Sequence, residues 1–195
     1  MARSRHTLDP AQSALLVMDF QPYKLGHLPD AGRVLTPTIG VVDLARKKSV
    51  QVAHVWSAYT ELDYATVPDS NRHLQPAVKD RVLGIGEPGS AIHEAVAPKA
   101  GDIVERKTRI GAFATTRLDE CFTNRGIVAL VLAGIFTSST VLSTVRDAAD
   151  RDYQLFVLED CIADPDPDIH DFLVRHVLSL QAKIITSDQF DSIHS

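Results

Sequence analysis

Residues 126–153 read GIVALVLAGIFTSSTVLSTVRDAADRDY, and this stretch decides the fold. Its first ten residues are almost continuously apolar, which is typical of a strand that is covered on both faces. Four hydroxyl residues, Thr137 to Thr140, come next, and Val141, Val145 and Ala148 then recur at helical spacing. The stretch therefore predicts a buried strand that leads directly into an amphipathic helix.

The same alternation of strand and helix runs along the rest of the chain. Six apolar runs predict strands, at residues 14–20, 50–56, 102–107, 127–135, 153–160 and 182–188. Thr36 followed by Pro37 predicts the start of the first helix, because Pro is favoured at the first helical position. Helical patterns around Leu118 and Ile169 precede the fourth and sixth strands. Strands that alternate with helices predict βαβ units, a mainly parallel sheet and helices on both of its faces.

Length and composition indicate an ordinary globular protein. A chain of 195 residues fits a single domain, residues 1–195, with a sizeable core. The formal net charge of −5 argues against nucleic acid as a partner, and no apolar run reaches the roughly 20 residues that span a bilayer. Two cysteines do not form a disulfide scaffold, and the first 20 residues lack the pattern of a signal peptide. We therefore expect a cytoplasmic protein that binds neither nucleic acid nor membrane.

Residues 57–100 break the alternation of strands and helices. This segment is rich in turn signals, such as GIGEPGS at 84–90, and has little periodicity. A loop of this length in a compact domain is functional or partly helical. The segment is therefore predicted to cover the site or to form a contact between subunits.

Ligands of an open parallel sheet bind beyond the carboxyl ends of the strands, and this rule selects the candidate site. The residues that end or follow the first four strands are Asp19, Gln21, Ser57, Tyr59, Lys107 and Phe136–Thr140. Asp19 ends an otherwise apolar run, and burial of an unpaired carboxylate costs several kcal/mol. Asp19 is therefore either a solvated turn residue or a catalytic carboxylate paired with Lys107.

Three segments together resemble the isochorismatase-like hydrolase superfamily, also called the cysteine hydrolases. They are ALLVMDFQ (14–21), ERKTRIGAFATTRLDECFTNRGI (105–127) and LVLAGIFTSSTVLSTVRDAADRDYQLFVLEDCIAD (130–164). The resemblance runs in order from about residue 14 to residue 190. It implies a three-layer, doubly wound α/β fold whose six-stranded sheet has the order 3-2-1-4-5-6. It also implies a homodimer or homotetramer.

The resemblance further implies the roles of several residues. Asp19 falls on the family's acid/base, Lys107 on the cation beside it, and the bond between Ile135 and Phe136 on a frequent cis peptide. The nucleophilic cysteine of the amidase members falls on Thr140, so this chain lacks that thiol. A Thr hydroxyl is far less acidic than a thiol and a carboxylate is a poor base for it, which argues against Thr140 as nucleophile.

The hydroxyl cluster, Thr137 to Thr140, leaves two interpretations open. Ser138 or Ser139 caps the helix, which is worth about 1 kcal/mol. Alternatively, backbone amides and hydroxyls near Ser139 hold a substrate carboxylate or oxyanion at the positive end of the helix. Both interpretations can hold at once, because different residues would serve each purpose.

Further candidates for substrate contact surround these positions. Arg109 and Arg72 are candidates to bind a substrate carboxylate. Six aromatic residues are candidates for the pocket wall: Phe20, Tyr23, Trp56, Tyr59, Phe113 and Phe136. His54 lies within a predicted strand, so we expect it to be a core residue. Metal-binding relatives carry an Asp-x-His motif after the second strand, and this region lacks that motif. We predict neither a metal nor a cofactor.

These observations favour a cofactor-free hydrolase of a small, carboxylated molecule, with Asp19 as general acid/base and water as nucleophile. The bond that is cleaved is either an amide C–N bond or a vinyl ether C–O bond. Hydrolysis of a vinyl ether needs Asp19 as a general acid. For that role burial would have to raise the pKa of Asp19, against the opposing effect of Lys107. Two alternatives stay open. One is an inactive family member that binds a ligand or a partner protein, and the other is an amidase that uses Thr140.

Overall fold

In the computed structural model, which describes residues 7–194, a six-stranded parallel sheet forms the centre of the molecule. The strands are β1 (Ser13–Met18), β2 (Gln51–Ser57), β3 (Ile103–Lys107), β4 (Ala129–Ile135), β5 (Gln154–Ala163) and β6 (Lys183–Ile185). Their order is β3-β2-β1-β4-β5-β6, which confirms the predicted fold class and strand order. The outermost ends of the predicted domain, residues 1–6 and 195, lie outside the described residues.

Eight helices connect or flank these strands within residues 7–194. They are α1 (Pro22–Leu25), α2 (Gly32–Lys47), α3 (Glu61–Ala65), α4 (Gln75–Asp80), α5 (Leu118–Thr123), α6 (Leu142–Ala149), α7 (Pro167–His176) and α8 (Phe190–Ile193). A π-helical turn, Thr137–Val141, joins β4 to α6. None of the helices that the structure describes has the length and apolar character needed to cross a membrane.

Alternation along the strands produces two cores, one on each face of the sheet. On β1, Leu15 and Val17 belong to the core that contains residues of α2 and α8. Ala14, Leu16 and Met18 point to the opposite face and join the core that contains residues of α5 and α6. A strand buried on both faces reads as a continuous apolar run, which is why β1 and β4 are evident from the sequence.

The prediction that α2 starts at Thr36-Pro37 is wrong. The helix starts at Gly32, and Pro37 lies inside it. The backbone N–H of Gly32 donates to a side-chain oxygen of Asp30 at 3.0 Å, so Asp30 helps to begin the helix four residues before the predicted cap. Pro37 is the sixth residue of this 16-residue helix, beyond the first turn, so the helix lacks the hydrogen bond that a backbone N–H at this position would donate.

The 57–100 segment is partly helical and lies over the carboxyl ends of the strands. It contains α3, α4 and two short 3₁₀ turns, at 88–90 and 94–96. Tyr59 forms an isolated parallel bridge with Gly84, which ties the two sides of the segment together. Residues from 73 to 83 form one wall of the main site cavity described below. The segment therefore covers a cavity at the carboxyl edge of the sheet, where the site is predicted.

Candidate functional site

Asp19 lies one residue beyond β1, at the carboxyl edge of the sheet. Its backbone is left-handed, with φ of 62°, and its N–H donates to the carbonyl of Val55 on β2 at 2.8 Å. Asp is among the few residue types that adopt this conformation readily, and here it turns the chain out of the strand into α1. Only 1% of Asp19 is exposed, so its carboxylate needs partners within the protein.

Four side chains supply those partners. Oδ2 of Asp19 lies 2.7 Å from Nζ of Lys24 and 2.8 Å from Nζ of Lys107, and it accepts a hydrogen bond of 2.6 Å from the hydroxyl of Thr140. Oδ1 accepts a hydrogen bond of 3.1 Å from the hydroxyl of Ser57. One buried carboxylate therefore has two ammonium groups and two hydroxyl donors around it.

These partners keep Asp19 ionised. Burial raises the pKa of its carboxyl, but the charges of Lys107 and Lys24 and their hydrogen bonds outweigh burial and lower the pKa to about 2. The sequence-based requirement for a general acid, a pKa raised by burial, is therefore not met. The physical reason is the combined effect of Lys107, which is the larger, and of Lys24, which the sequence analysis did not include.

Lys107 ends β3 and is fully enclosed, with 1% of its surface exposed. Its ammonium lies against Asp19 and donates to the hydroxyl of Thr140 at 3.0 Å and to the carbonyl of Ile110 at 2.5 Å. Burial lowers the pKa of Lys107 to about 8, because the attraction of Asp19 offsets only part of the desolvation and Lys24 adds repulsion. Parallel pairing sets Lys107 beside Ser57 of β2, at the same level of the sheet.

The hydroxyl cluster occupies the π-helical turn after β4, and the Ile135–Phe136 peptide before it is cis. Neither Ser138 nor Ser139 caps a helix with its side chain, so that interpretation is wrong. Instead, the backbone N–H of Ser138 donates to the carboxylate of Asp164 at 2.7 Å. The cap thus comes from the far end of β5, and the Ser138 amide is not available to a substrate anion.

A cavity of about 250 Å³ opens above Asp19. Its walls come from α1, the ends of β2 and β3, the π-helical turn and the 57–100 segment. The lining residues are Tyr23, Lys24, His27, Ser57, Tyr59, His73, Leu74, Pro76, Ala77, Asp80, Val82, Leu83, Lys107, Arg109, Ile110, Phe136, Ser139 and Thr140. This volume suits a small molecule, and its floor carries the charged cluster around Asp19.

The structure brings most of the predicted site residues to this cavity. Tyr59, Arg109, Phe136 and Ser139 line it together with Lys107 and Thr140. Burial and the nearby Asp19 raise the pKa of Tyr59 to about 12, so its phenol stays protonated. The Arg109 guanidinium donates to the carbonyl of Thr108 at 2.7 Å, which holds it at the wall.

Five predicted contacts lie outside the lining: Phe20, Gln21, Trp56, Arg72 and Phe113. Gln21 is fully buried, and its amide bonds the backbone of Ser57 and Ser90, so it braces the loops that carry the site. Phe113 packs in the core with its ring 6.0 Å from that of Tyr153. Trp56 precedes Ser57 on β2 and points to the other face of the sheet, because successive strand residues alternate.

Sequence reasoning missed Lys24 and His73. Lys24 lies in the four-residue helix α1, which is too short to show any periodicity. The sequence did contain one indication of Lys24. A buried Asp19 needs cations close to it, because burial of an unpaired carboxylate is costly, and Lys24 is only five residues away along the chain. His73 lies in the irregular part of the 57–100 segment, where burial and the two lysines lower its pKa, so its imidazole is neutral.

His54 is buried in β2, as the sequence indicates, and its Nε2 lies 3.4 Å from a carboxylate oxygen of Asp102. Burial lowers the pKa of His54 to about 4, although Asp102 opposes this effect, so the ring is neutral. Within residues 7–194, no three side chains of His, Cys, Asp or Glu are grouped so that they could hold a metal ion.

Comparison with known proteins gives one consistent result. The family model described as Isochorismatase domain matches residues 13–189. A protein of Pseudomonas chlororaphis named "Probable isochorismatase" is 31% identical over 94% of this chain and 86% of its own length. "Maleamate amidohydrolase" of Pseudomonas putida is 29% identical over 89% of this chain and 82% of its own length. The crystal structure of a cysteine hydrolase from Pseudomonas syringae pv. phaseolicola, 20% identical, superposes with a TM-score of 0.85 over 96% of each chain. The chain therefore belongs to the isochorismatase family of hydrolases.

Proposed function

We propose that this protein hydrolyses an amide bond of a small carboxylated molecule, with Asp19 as the base and water as the nucleophile. The single observation that supports this proposal most is the position of Asp19. Its carboxylate is ionised and buried directly beneath a small cavity, and Lys24, Lys107 and Thr140, which line that cavity, all contact one of its oxygens. A relative named maleamate amidohydrolase makes a carboxylated amide a reasonable substrate class.

The ionised state of Asp19 favours amide hydrolysis over vinyl ether hydrolysis. Protonation of an enol ether carbon requires a carboxylic acid, whereas activation of water requires a carboxylate. A pKa of about 2 makes Asp19 a weak base in the empty cavity. A bound substrate carboxylate opposes the charges of Lys24 and Lys107, so substrate binding raises the pKa of Asp19 and improves the base.

The proposed reaction is balanced with one water molecule and returns the protein unchanged. Asp19 takes a proton from water as the water oxygen bonds to the amide carbon. The carbonyl oxygen becomes an oxyanion, which the positive charge of Lys107 stabilises through space, since the three N–H donors of this ammonium are already used within the protein. Cleavage of the C–N bond then releases the amine, which receives the proton held by Asp19. The products are a carboxylic acid and an amine.

The test is a panel of small carboxylated amides, ureido acids and vinyl ethers, assayed with the wild-type protein and with Asp19→Asn. Exposed Asp69 lies outside the cavity lining, so Asp69→Asn is the matched control. We expect turnover of an amide that falls about 10²- to 10⁴-fold in Asp19→Asn and stays unchanged in Asp69→Asn. Turnover that persists in folded Asp19→Asn contradicts the proposal, and no turnover of any compound favours a binding protein instead.

A second candidate, an amidase with Thr140 as nucleophile, is favoured by one specific observation. The Thr140 hydroxyl donates to Asp19 at 2.6 Å and accepts from Lys107 at 3.0 Å, so it has a base and a cation beside it. The low pKa of Asp19 argues against this candidate, because such a carboxylate removes a hydroxyl proton poorly. A covalent adduct on Thr140 in intact mass spectra, together with inactivity of Thr140→Val, would establish it. Full activity of Thr140→Val supports attack by water.

A further inference from the structure

Lys24 and Lys107 both contact Asp19, yet they differ in the hydrogen-bonding capacity that they have left. An ammonium group has three N–H donors. Lys107 directs its three donors at Asp19, Thr140 and Ile110. Lys24 has only two acceptors among the described residues, Oδ2 of Asp19 at 2.7 Å and the hydroxyl of Ser57 at 3.0 Å. One donor of Lys24 is therefore free to bind a further group.

Solvent exposure also indicates that Lys24, rather than Lys107, is accessible to a ligand. The side chain of Lys24 is 12% exposed and that of Lys107 is 1% exposed. Lys24 projects from α1, which also contributes Tyr23 to the wall of the cavity, and His27 lines the same wall from the turn after this helix. A ligand can thus reach Lys24 without breaking a bond within the protein.

The charges around the cavity leave an excess of one positive charge. Three cations, Lys24, Lys107 and Arg109, face two carboxylates, Asp19 and Asp80. Asp19 is the one carboxylate that Lys24 and Lys107 share, so these two ammonium groups carry one positive charge that it does not offset, and Lys24 is the more exposed of the two. A ligand with one negative charge restores balance in this partly desolvated space, where a charge-assisted hydrogen bond is strong.

We propose that Lys24 is the residue that binds the carboxylate of the substrate, and that the substrate is a short monoanion. This inference rests on the proposed function and names the group that recognises its substrate. The substrate is short because Lys24 and Thr140 contact the same oxygen of Asp19, at 2.7 and 2.6 Å. The carboxylate and the bond that is cleaved must therefore lie only a few atoms apart.

The test measures binding of compounds that the protein cannot hydrolyse. Levulinate carries a ketone three bonds from its carboxylate, and 5-hydroxypentan-2-one has the same ketone without the charge. The compound 6-oxoheptanoate is two methylene groups longer than levulinate. Dissociation constants come from NMR titration at pH 7 in a buffer free of carboxylates and phosphate. The proteins are wild type, Lys24→Met, Lys24→Arg, Arg109→Gln and Lys47→Met, the last as a matched control on an exposed lysine of α2.

We expect the wild type to bind levulinate at least about tenfold more tightly than 5-hydroxypentan-2-one, which is the preference that one charged hydrogen bond provides. Lys24→Met should reduce this ratio to about one, Lys24→Arg should keep part of it, and Lys47→Met should not change it. Levulinate should also bind more tightly than 6-oxoheptanoate. Circular dichroism of each variant verifies that it is folded, and Lys24→Arg keeps the charge if Lys24→Met is unstable.

Three results overturn the inference. They are a charge preference that survives in folded Lys24→Met, a preference that Arg109→Gln abolishes while Lys24 is intact, and no binding of levulinate by the wild type up to about 100 mM, the weak-binding limit of such titrations. These results are distinct from failure of the proposed function. If the protein hydrolyses no compound of the panel and still shows the Lys24-dependent preference, the binding inference stands and the catalytic proposal fails.

Discussion

Replacement of Asp19 by Asn should destabilise the fold more than removal of either lysine that contacts it. The substitution leaves Lys24 and Lys107 facing a neutral amide, and an unpaired buried charge costs about 3–5 kcal/mol. The backbone adds little to this cost, because Asn, like Asp, tolerates the left-handed conformation at this position. The effect therefore reports mainly the loss of the carboxylate charge and of the hydrogen bonds that the carboxylate accepts.

Removal of one lysine should cost less, because the other lysine still neutralises Asp19. Lys107→Met loses charged hydrogen bonds in a fully buried position, and we expect a loss of about 2–3 kcal/mol. Lys24 is partly exposed, so Lys24→Met should cost only about 1 kcal/mol. Urea denaturation at pH 7, followed by the fluorescence of Trp56 and by circular dichroism, measures the free energy of unfolding of each variant.

The pH dependence of the free energy of unfolding shows how much the ionised carboxylate of Asp19 contributes to stability. The pKa of Asp19 is lowered from 3.8 to about 2 in the folded protein, so its ionisation stabilises the fold above pH 4. That stabilisation, roughly 2–3 kcal/mol, is lost as the pH falls from about 4 to about 2. The difference between the wild type and Asp19→Asn should therefore shrink over this range. An equal cost for Asp19→Asn and Lys107→Met, or a difference that does not change with pH, would refute this account of the charges.

Three further predictions concern the same region. Gly134→Ala should lower the free energy of unfolding by about 1–3 kcal/mol, since a Cβ there meets Val141 at 3.2 Å; calorimetry measures the loss. Asp164→Ala removes the acceptor for the Ser138 N–H and should cost about 1 kcal/mol in urea denaturation, with Asp164→Asn retaining part of it. If the proposed function is correct, kcat should fall as the pH rises above about 8, because Lys107 then loses its proton; a profile that stays flat to pH 10 would contradict its role.

The sequence predicts those parts of this structure that follow from short-range periodicity. The strands β1 and β4 are evident because they are apolar on both faces, and Asp19 and Lys107 meet because parallel strands end at one edge of the sheet. The short helix α1 carries Lys24 and lacks such periodicity. Its position depends on the turn at Asp19, which only the three-dimensional structure defines.

The structure of the 57–100 segment could not be predicted from sequence patterns, for a different reason. Its two short helices, α3 and α4, each have at most six residues, and a helix of that length is stable only through tertiary contacts. Tyr64 illustrates this dependence, since its hydroxyl donates to the carbonyl of Val82 across the segment. The prediction of a cover followed from the length of the segment, whereas the contribution of His73 to the wall did not.

The contact between Asp19 and Thr140 joins residues that are 121 positions apart in the chain. Closure of a loop of this length carries an entropic penalty that must be met before the contact adds any stability, and sheets rich in such pairings form slowly. During synthesis, Asp19 leaves the ribosome long before its partners Lys107 and Thr140 exist. Until they arrive, the carboxylate is an ordinary solvated side chain with an ordinary acidity. The low pKa of Asp19 is therefore acquired only after β3 has brought Lys107 to the carboxylate, so the acidity of this side chain reports that distant parts of the sheet have assembled.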